Sequence, residues 1–302
     1  MVDLILFGDC KETLKQFPRG SAQMCVTSPP YYGLRDYGGE ANQIGQEETP
    51  EEFVNNLVEV FREVRDVLKD DGVLWLNIGD SYYNYRPGTG GLPKQTVSKT
   101  SQDLPTQCNR RANKLDGLKE KDLIGIPWML AFALRADGWY LRQDIIWHKP
   151  NPMPESVKDR CTKSHEYIFL LSKNKKYYYD NEAIKEPVKQ DWGTRNRDAG
   201  KYHNPGTGLQ PHTGLTKSYD RKNKRDVWTI TNKPYKGAHF AVFPPDLIEP
   251  CILAGSERGD IILDPFIGSG TTGMVAKKHG RNYIGCESVS YTHLRAHETC
   301  PY

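Results

Sequence analysis

The chain has 302 residues, of which 37% are hydrophobic, and its formal net charge at pH 7 is +3. This length and hydrophobic content suffice for one sizeable core that carries an inserted module. No run of eighteen apolar residues and no basic-then-apolar leader occurs, so the sequence predicts neither a membrane span nor a signal peptide. Seven cysteines are scattered without CxxC spacing, which indicates reduced thiols in a cytoplasmic protein and predicts no metal site.

The first predicted strand covers residues 4–7, and a helix is predicted over residues 11–17. Asp9 stands between the two elements. An aspartate in this position can accept a hydrogen bond from the first helical backbone N–H groups, so Asp9 is a candidate N-cap.

The second predicted strand covers residues 24–26 and is followed by Ser28-Pro29-Pro30-Tyr31. Paired prolines cannot continue the hydrogen-bond ladder of a strand, so the chain must turn away from the sheet at Ser28. The turn presents a hydroxyl, a carbonyl and an aromatic ring at the carboxyl end of the strand, where open α/β sheets bind ligands. This combination suits a planar amine, although a Pro-Pro-aromatic turn alone is more often a plain loop.

Helices and apolar strands then alternate along the chain. A one-sided helix is predicted over residues 50–68, with Thr49 as its cap and Pro50 in its first turn. The strand that follows is predicted at residues 73–78. The same order recurs with a helix at 127–136 and strands at 141–147 and 167–171. This alternation predicts one α/β domain with a mostly parallel sheet and helices on both faces.

Two polar, basic inserts interrupt the alternation, at residues 84–121 and 184–238. Loops of this length inside a compact domain are usually functional or disordered. The second insert interleaves basic and aromatic residues, which suits phosphate contacts and base stacking. The candidate contacts are Arg195, Arg197, Lys222, Lys224 and Arg225, together with Arg35 near the first turn. For each single residue a solvated surface position is the competing interpretation, and for Arg35 also an ion pair with a neighbouring acid.

A glycine-rich loop follows a predicted strand at residues 260–263 and precedes a helix at 273–279. The loop reads Asp264-Pro265-Phe266-Ile267-Gly268-Ser269-Gly270-Thr271-Thr272. Its glycines permit close backbone approach, but it lacks the lysine of a phosphate-binding loop and the spacing of the dinucleotide fingerprint. The next predicted strand, at 282–286, ends in Glu287, where an acid suits hydrogen bonds to ribose hydroxyls.

Taken together, the Thr27-Ser28-Pro29-Pro30-Tyr31 turn and the loop at 264–272 resemble the motifs of the amino-group DNA methyltransferases. These enzymes use S-adenosylmethionine to methylate cytosine N4 or adenine N6. The catalytic motif precedes the cofactor motif, which is similar to the circularly permuted beta-type order of that family. The resemblance covers residues 1–288 and implies a Rossmann-like S-adenosylmethionine-dependent methyltransferase fold, with 184–238 in the place of the target-recognition region.

The resemblance also implies the roles of individual residues. The implied catalytic residues are Ser28, Pro29, Pro30 and Tyr31. The implied cofactor-binding residues are Asp9, Phe243, Asp264, Pro265, Phe266, Gly268, Ser269, Gly270, Thr271 and Glu287. For Asp9 the cap and the cofactor contact are compatible, and for Phe243 core packing remains the alternative.

The chemistry needs no dedicated base. The lone pair of an exocyclic base amine is delocalised into its ring, and hydrogen-bond acceptors can pull the amine toward a tetrahedral geometry. Ser28 and the Pro29 carbonyl would supply these acceptors. His148 and His165 are therefore assigned to structure or DNA contact.

Several choices stay open from the sequence. The resemblance associates serine at position 28, where other members carry Asp or Asn, with cytosine N4. A hydroxyl can physically serve either base, so adenine N6 is the alternative. The expected partner is double-stranded DNA from which the target base is flipped out; whether a restriction endonuclease accompanies the enzyme, and its oligomeric state, are left open. Residues 289–302 look like a translated adapter sequence, so the natural protein is expected to continue differently. A catalytically impaired protein that only binds cofactor or DNA is the alternative from another class.

Overall fold

The computed structural model describes residues 3–33, 35–36, 43–83, 106–107, 115, 117–188, 220–232 and 243–288. Within these ranges the helices are α1 Cys10–Leu14, α2 Pro50–Val67, α3 Ile126–Ala136, α4 Pro245–Gly255 and α5 Thr271–Lys278. The strands are β1 Asp3–Phe7, β2 Ala22–Thr27, β3 Arg35–Asp36, β4 Leu68–Ile78, β5 Thr106–Gln107, β6 Tyr140–His148, β7 His165–Ser172, β8 Glu186–Pro187, β9 Arg221–Lys222, β10 Val227–Thr229, β11 Ile261–Asp264 and β12 Asn282–Glu287. Among the described residues no helix is both long enough and apolar enough to cross a membrane.

Eight strands form one sheet in the order β1-β12-β11-β2-β4-β7-β6-β10. All neighbouring pairs are parallel except those of β7, which runs antiparallel to both β4 and β6. The predicted mostly parallel sheet is therefore confirmed. Strands β2 and β11 are far apart in sequence, yet Cys25 pairs with Leu263 at the centre of the sheet.

Helices cover both faces of the sheet, as predicted. On one face, α1, α2 and α3 pack over a core that contains Phe53 and Leu130. On the other face, α4 and α5 pack over a second core that contains Leu247 and Val275. The side chains of β2 alternate between these cores, since Cys25 joins the first and Met24 the second. The sheet is thus buried on both sides, as parallel sheets usually are.

Local chemistry explains where the longest helix begins. The Thr49 hydroxyl accepts a hydrogen bond from the Glu52 backbone N–H at 3.1 Å, and the Glu52 carboxylate accepts from the Thr49 N–H at 3.3 Å. This reciprocal pair is a capping box, and Pro50 occupies the first turn. The predicted start of α2 is confirmed.

The described parts of the two inserts include short strands. In the first insert, β5 pairs with β3, and in the second, β8 pairs with β9. Strand β10 lies within the second predicted insert, yet it pairs in parallel with β6 at the sheet edge. Its Trp228 side chain is buried in the second core, which explains why it joins the sheet. The remainder of both inserts and residues 289–302 lie outside the described ranges, so these units stay predictions.

Candidate active site

Most of the sequence-predicted site residues meet at one edge of the sheet. Because β1, β12, β11, β2 and β4 are parallel neighbours, their carboxyl ends lie side by side. This places Asp9, Glu287, Asp264 and the Ser28 turn along one continuous edge. Open α/β sheets bind their ligands there.

Asp264 joins the two sequence motifs. Its side chain is buried, and Oδ1 accepts a hydrogen bond from the Thr27 hydroxyl at 2.6 Å. Oδ2 accepts from the Thr272 hydroxyl, also at 2.6 Å, and the Phe266 N–H donates to Oδ1 at 3.1 Å. Thr27 directly precedes Ser28, whereas Thr272 lies in the first turn of α5. The carboxylate therefore ties the Ser28 turn to the glycine-rich loop, and its predicted contact with a cofactor ammonium stays a prediction.

The glycine-rich loop is shaped by two left-handed residues. Gly268 has a φ of 52° and Gly270, which caps α5, has a φ of 79°. Side chains with a Cβ avoid this conformation, which explains glycine at both positions. Ile267 anchors the loop, because its side chain packs directly against Gly285 of β12. The loop thus holds its backbone close to the sheet edge, as a bound nucleotide-like cofactor requires.

The flanks of this loop are well packed. Pro265 is buried, and the buried hydroxyls of Ser269 and Thr271 lie 3.2 Å apart. Phe266 packs against the first core and Phe243 against the second, each half-buried. For Phe243 both interpretations, core packing and cofactor contact, are compatible with this position.

Two further acids stand at adjacent strand ends. The exposed Asp9 accepts a hydrogen bond from the Lys11 N–H at 2.9 Å, so its predicted role as the N-cap of α1 is confirmed. Glu287 is half-buried at the end of β12, and its carbonyl accepts from the Gly8 N–H at 2.9 Å. Carboxylates here can accept hydrogen bonds from the amine and hydroxyl groups of an adenosine moiety. The edge therefore fits S-adenosylmethionine, with Asp9 and Glu287 as candidate holders.

Asp264 makes stability depend on pH. Burial raises the pKa of Asp264 from 3.8 to about 6, against the opposing hydrogen bonds from Thr27, Thr272 and Phe266. Between about pH 4 and pH 6 the folded state binds this proton and the unfolded state does not, so stability falls as the pH rises through this window. We expect a loss of about 3 kcal/mol across it, at about 1.4 kcal/mol for each unit of pKa shift.

The Asp264→Asn variant cannot titrate and should lack this loss. Urea unfolding of both proteins at several pH values between 4 and 7 measures the difference in their free energies of unfolding. If the difference in free energy of unfolding between the two proteins were the same at every pH, the pH dependence could not come from Asp264.

The Ser28 turn leaves the sheet as predicted. Ser28 and Pro30 are half-buried, and Pro29 is buried. The Tyr31 hydroxyl donates to Glu166 Oε2 at 2.7 Å and lies 3.5 Å from Asn77 Oδ1. The ring is half-buried against the first core. The turn therefore has a defined position relative to β4 and β7.

Three polar residues beside Tyr31 were not predicted from the sequence. Asn77 is buried on β4, Glu166 lies near the start of β7, and Lys149 pairs with Glu166. The sequence did contain a signal for two of them. Asn77 stands within a run of apolar strand residues, and Glu166 directly precedes another such run. Buried polar groups require partners, and such residues in strands therefore indicate a polar network.

Asp80, two residues after the end of β4, was also not predicted from the sequence. Its carboxylate accepts from the backbone N–H groups of Gly125 and Ile126 at 3.0 and 3.1 Å, and so caps α3 from a distant segment. The Asp80 carbonyl accepts from the Lys163 ammonium at 2.6 Å, and burial lowers the pKa of Lys163. Asp80 thus fixes both the start of α3 and the segment around Lys163, beside the Tyr31 turn.

The structure places part of the predicted DNA-binding set. Lys224 and Arg225 both pair with Glu186, with N···O distances of 3.7 and 3.2 Å. Lys222 is half-buried and stands opposite Glu186 in the antiparallel β8–β9 pair. The side chain of Arg35, as well as Arg195 and Arg197, lies outside the described residues. Glu186 therefore partly neutralises the described basic group, whose DNA contact stays a prediction.

The two histidines have structural neighbours. His148 Nδ1 lies 3.2 Å from the Thr229 hydroxyl on β10. The His165 ring packs edge-on against the Tyr167 ring, with 5.4 Å between centroids. These contacts are compatible with the assignment of both histidines to structure, and a contact with DNA stays a prediction.

Known proteins share this sequence over most of its length. A model of the DNA methylase family, N6_N4_Mtase, matches residues 22–296. The chain is 47% identical to the type II methyltransferase M.Cfr9I of Citrobacter freundii over 280 residues, which cover 93% of this chain and 81% of that protein. It is 48% identical to the type II methyltransferase M.SmaI of Serratia marcescens over 283 residues, which cover 94% and 85%.

Solved structures share the fold. The PvuII DNA methyltransferase, which is cytosine-N4-specific, matches with a TM-score of 0.63 at 19% identity, over 97% of this chain and 84% of that one. A putative DNA modification methylase from Thermus thermophilus, complexed with S-adenosyl-L-methionine, matches with a TM-score of 0.60 at 24% identity, over 98% and 92%. At these identities the likeness is one of fold.

The fold and the two joined motifs define an S-adenosylmethionine-dependent methyltransferase that acts on DNA. The chain belongs to the DNA methylase family of N6 and N4 amino-group methyltransferases. The family, the fold class and the cofactor predicted from the two motifs are thereby confirmed.

Proposed function

We propose that this methyltransferase transfers the methyl group of S-adenosylmethionine to N4 of a cytosine flipped out of duplex DNA. The observation that carries the proposal is the 2.6 Å hydrogen bond between Thr27 and Asp264. It sets the Ser28 turn beside the cofactor loop, so an amine held at the turn lies next to the cofactor edge.

The residues of the turn act on the amine through hydrogen bonds. The Ser28 hydroxyl and the Pro29 carbonyl accept from the two N–H groups and draw the nitrogen toward a tetrahedral geometry, which frees its lone pair. When bound, the cofactor supplies an electrophilic methyl group on its sulfonium. The amine takes up the methyl group before any proton leaves. The methylated nitrogen is then positively charged and strongly acidic, so its extra proton passes to solvent and the turn needs no general base beside it.

Base flipping accounts for the aromatic residue of the turn. A base inside a duplex cannot reach the cofactor edge, and extruding it costs a few kcal/mol. Stacking on an aromatic side chain returns about 1 to 3 kcal/mol per base. We assign this stacking to Tyr31, which offsets much of the cost of flipping.

Serine at position 28 supports cytosine as the target. A hydroxyl can accept from the amine of either base, but the family resemblance of the turn associates serine at this place with cytosine N4. The relatives M.Cfr9I and M.SmaI are named type II methyltransferases, so a companion restriction endonuclease is part of the proposal. The basic residues of 184–238 are proposed to contact the DNA backbone and the target sequence.

Nucleoside analysis tests the choice of base. Unmethylated phage DNA is incubated with the enzyme and S-adenosylmethionine, digested to nucleosides and analysed by mass spectrometry. We expect N4-methylcytosine. The appearance of N6-methyladenine instead would overturn the cytosine assignment while leaving the enzyme class intact.

The Ser28→Ala variant tests the role of the Ser28 hydroxyl as a hydrogen-bond acceptor. Loss of one neutral hydrogen bond, worth about 1 kcal/mol, should lower the yield of methylated nucleoside about fivefold to tenfold. Cofactor affinity, measured by calorimetry, should not change, because Ser28 does not belong to the cofactor loop. An unchanged yield would exclude the hydroxyl as an acceptor.

A further inference from the structure

We propose that Glu166 is a positioning residue for Tyr31, and that the contacts from Lys149 through Glu166 to Tyr31 hold the ring where the target base stacks. The inference rests on the stacking role proposed for Tyr31. It applies equally to a cytosine or an adenine target, because both present a flat face to the ring.

Both oxygens of the Glu166 carboxylate have partners. One oxygen, Oε2, accepts from the Tyr31 hydroxyl at 2.7 Å and from the Asn77 amide at 3.4 Å. The other oxygen, Oε1, forms an ion pair with the Lys149 ammonium, and both side chains of this pair are about 15% exposed. With these oxygens occupied, Glu166 is placed to act through Tyr31 and not on a substrate directly.

Both ends of the network are anchored in the sheet. The Lys149 ammonium lies 4.1 Å from the centroid of the Trp147 ring, and the Lys149 N–H donates to the Ser164 carbonyl at 2.7 Å. Asn77 donates to the Tyr167 carbonyl at 3.0 Å. A carboxylate in such a setting retains little freedom, so its bond to Tyr31 restricts the ring.

A second contact restricts the ring independently. A Cβ at Gly79 would lie 2.7 Å from Cε2 of Tyr31, so the ring lies directly against the backbone that follows β4. The hydroxyl bond fixes the tip of the side chain, and Gly79 fixes the ring body. A ring held in this way before DNA arrives loses little further freedom when the base stacks on it.

The charge of Glu166 makes the bond strong. Hydrogen bonds from a hydroxyl to a carboxylate are roughly twice as strong as those between neutral groups. The Lys149 ammonium pairs with the other carboxylate oxygen, so the charge of Glu166 has a partner where both side chains are mostly buried. The ion pair with Lys149 thus explains why an acid, Glu166, stands on β7 next to aromatic residues such as Tyr167 and Phe169.

A double-mutant cycle tests the inference. The variants Tyr31→Phe, Glu166→Gln and the double variant are compared by the initial rate of methyl incorporation into unmethylated phage DNA at saturating S-adenosylmethionine. Each single change should lower kcat about tenfold, the scale for a hydrogen bond to a charged group, with cofactor affinity unchanged. The double variant should be no slower than the slower single variant within about threefold, because Tyr31→Phe removes the bond whose charge assistance Glu166→Gln removes. Losses that multiply to about 100-fold would overturn the inference.

Two further variants make the result specific. Gly79→Ala should displace the ring and lower kcat about tenfold, although it leaves the network residues in place. Tyr32→Phe is the matched control, since it removes a neighbouring hydroxyl that donates to the Glu48 carbonyl at 3.2 Å, and it should leave kcat unchanged. Full activity in Gly79→Ala would contradict a ring held in one position.

The outcomes separate this inference from the stacking proposal. If Tyr31→Ala loses turnover while Tyr31→Phe and Glu166→Gln keep it, stacking stands and the positioning role is refuted. If Tyr31→Ala keeps turnover, the stacking proposal itself fails.

Discussion

Replacing Tyr31 by alanine is expected to lower kcat at least about 100-fold while leaving S-adenosylmethionine affinity unchanged. The variant loses the stacking surface, worth about 1 to 3 kcal/mol per base, and the charge-assisted bond to Glu166 at 2.7 Å. The residue lies at the Ser28 turn and outside the cofactor loop, so the loss should fall on turnover. Steady-state kinetics on unmethylated DNA and calorimetry with the cofactor measure the two quantities.

A tyrosine at the opposite edge of the sheet is the control. Tyr140 begins β6, is 45% exposed, and lies at the amino end of its strand. Tyr140→Ala should leave kcat and cofactor affinity unchanged. An equal loss of cofactor binding in Tyr31→Ala would show that Tyr31 shapes the cofactor edge, and would remove its assignment to the base.

Replacing Gly285 by valine is expected to destabilise the protein by about 3 kcal/mol and to weaken cofactor binding at least about tenfold. A Cβ at Gly285 would lie 2.3 Å from Cδ1 of Ile267 and 2.9 Å from its Cβ. Atoms of a packed core cannot be moved aside freely, so the loop that contains Ile267 must shift. Thermal unfolding and calorimetry with S-adenosylmethionine measure both effects.

Two further variants test whether the effect of Gly285→Val comes from its clash with Ile267. Adding Ile267→Ala to Gly285→Val removes the atom of closest approach and should restore part of the stability. Gly259→Ala, at a φ of 88° with open space around it, introduces only backbone strain. It should cost about 1 to 2 kcal/mol without changing cofactor affinity. Unaltered cofactor binding in Gly285→Val would show that the loop does not need its packing on β12.

Local patterns were sufficient to predict much of the fold. The start of α2 depends on Thr49 and Glu52, three residues apart, and the turn at Ser28 depends on adjacent prolines. The alternation of helices and apolar strands led to a mostly parallel sheet with two covered faces. Such features are encoded within a few residues, because backbone geometry and capping act over short distances.

Strand β10 and the antiparallel β7 could not be predicted in the same way. The residues of β10 stand in a basic, polar segment, and they join the sheet because Trp228 is buried against the second core. The direction of β7 follows from its pairing with β4 and β6, and no pattern within residues 167–171 encodes it. Whether a segment joins a sheet, and in which direction, depends on partners elsewhere in the chain.

The sequence by itself determined that the chain holds a Pro-Pro-aromatic turn and a glycine-rich loop, and through them the class of enzyme. Only the tertiary structure decided how the two act together. Thr27 and Thr272 meet on the carboxylate of Asp264 because β2 and β11 are neighbours, and Glu166 meets Tyr31 because β7 lies beside β4. The physical reason is that hydrogen bonds reach about 3 Å, so contacts between distant residues exist only once strand order has been set.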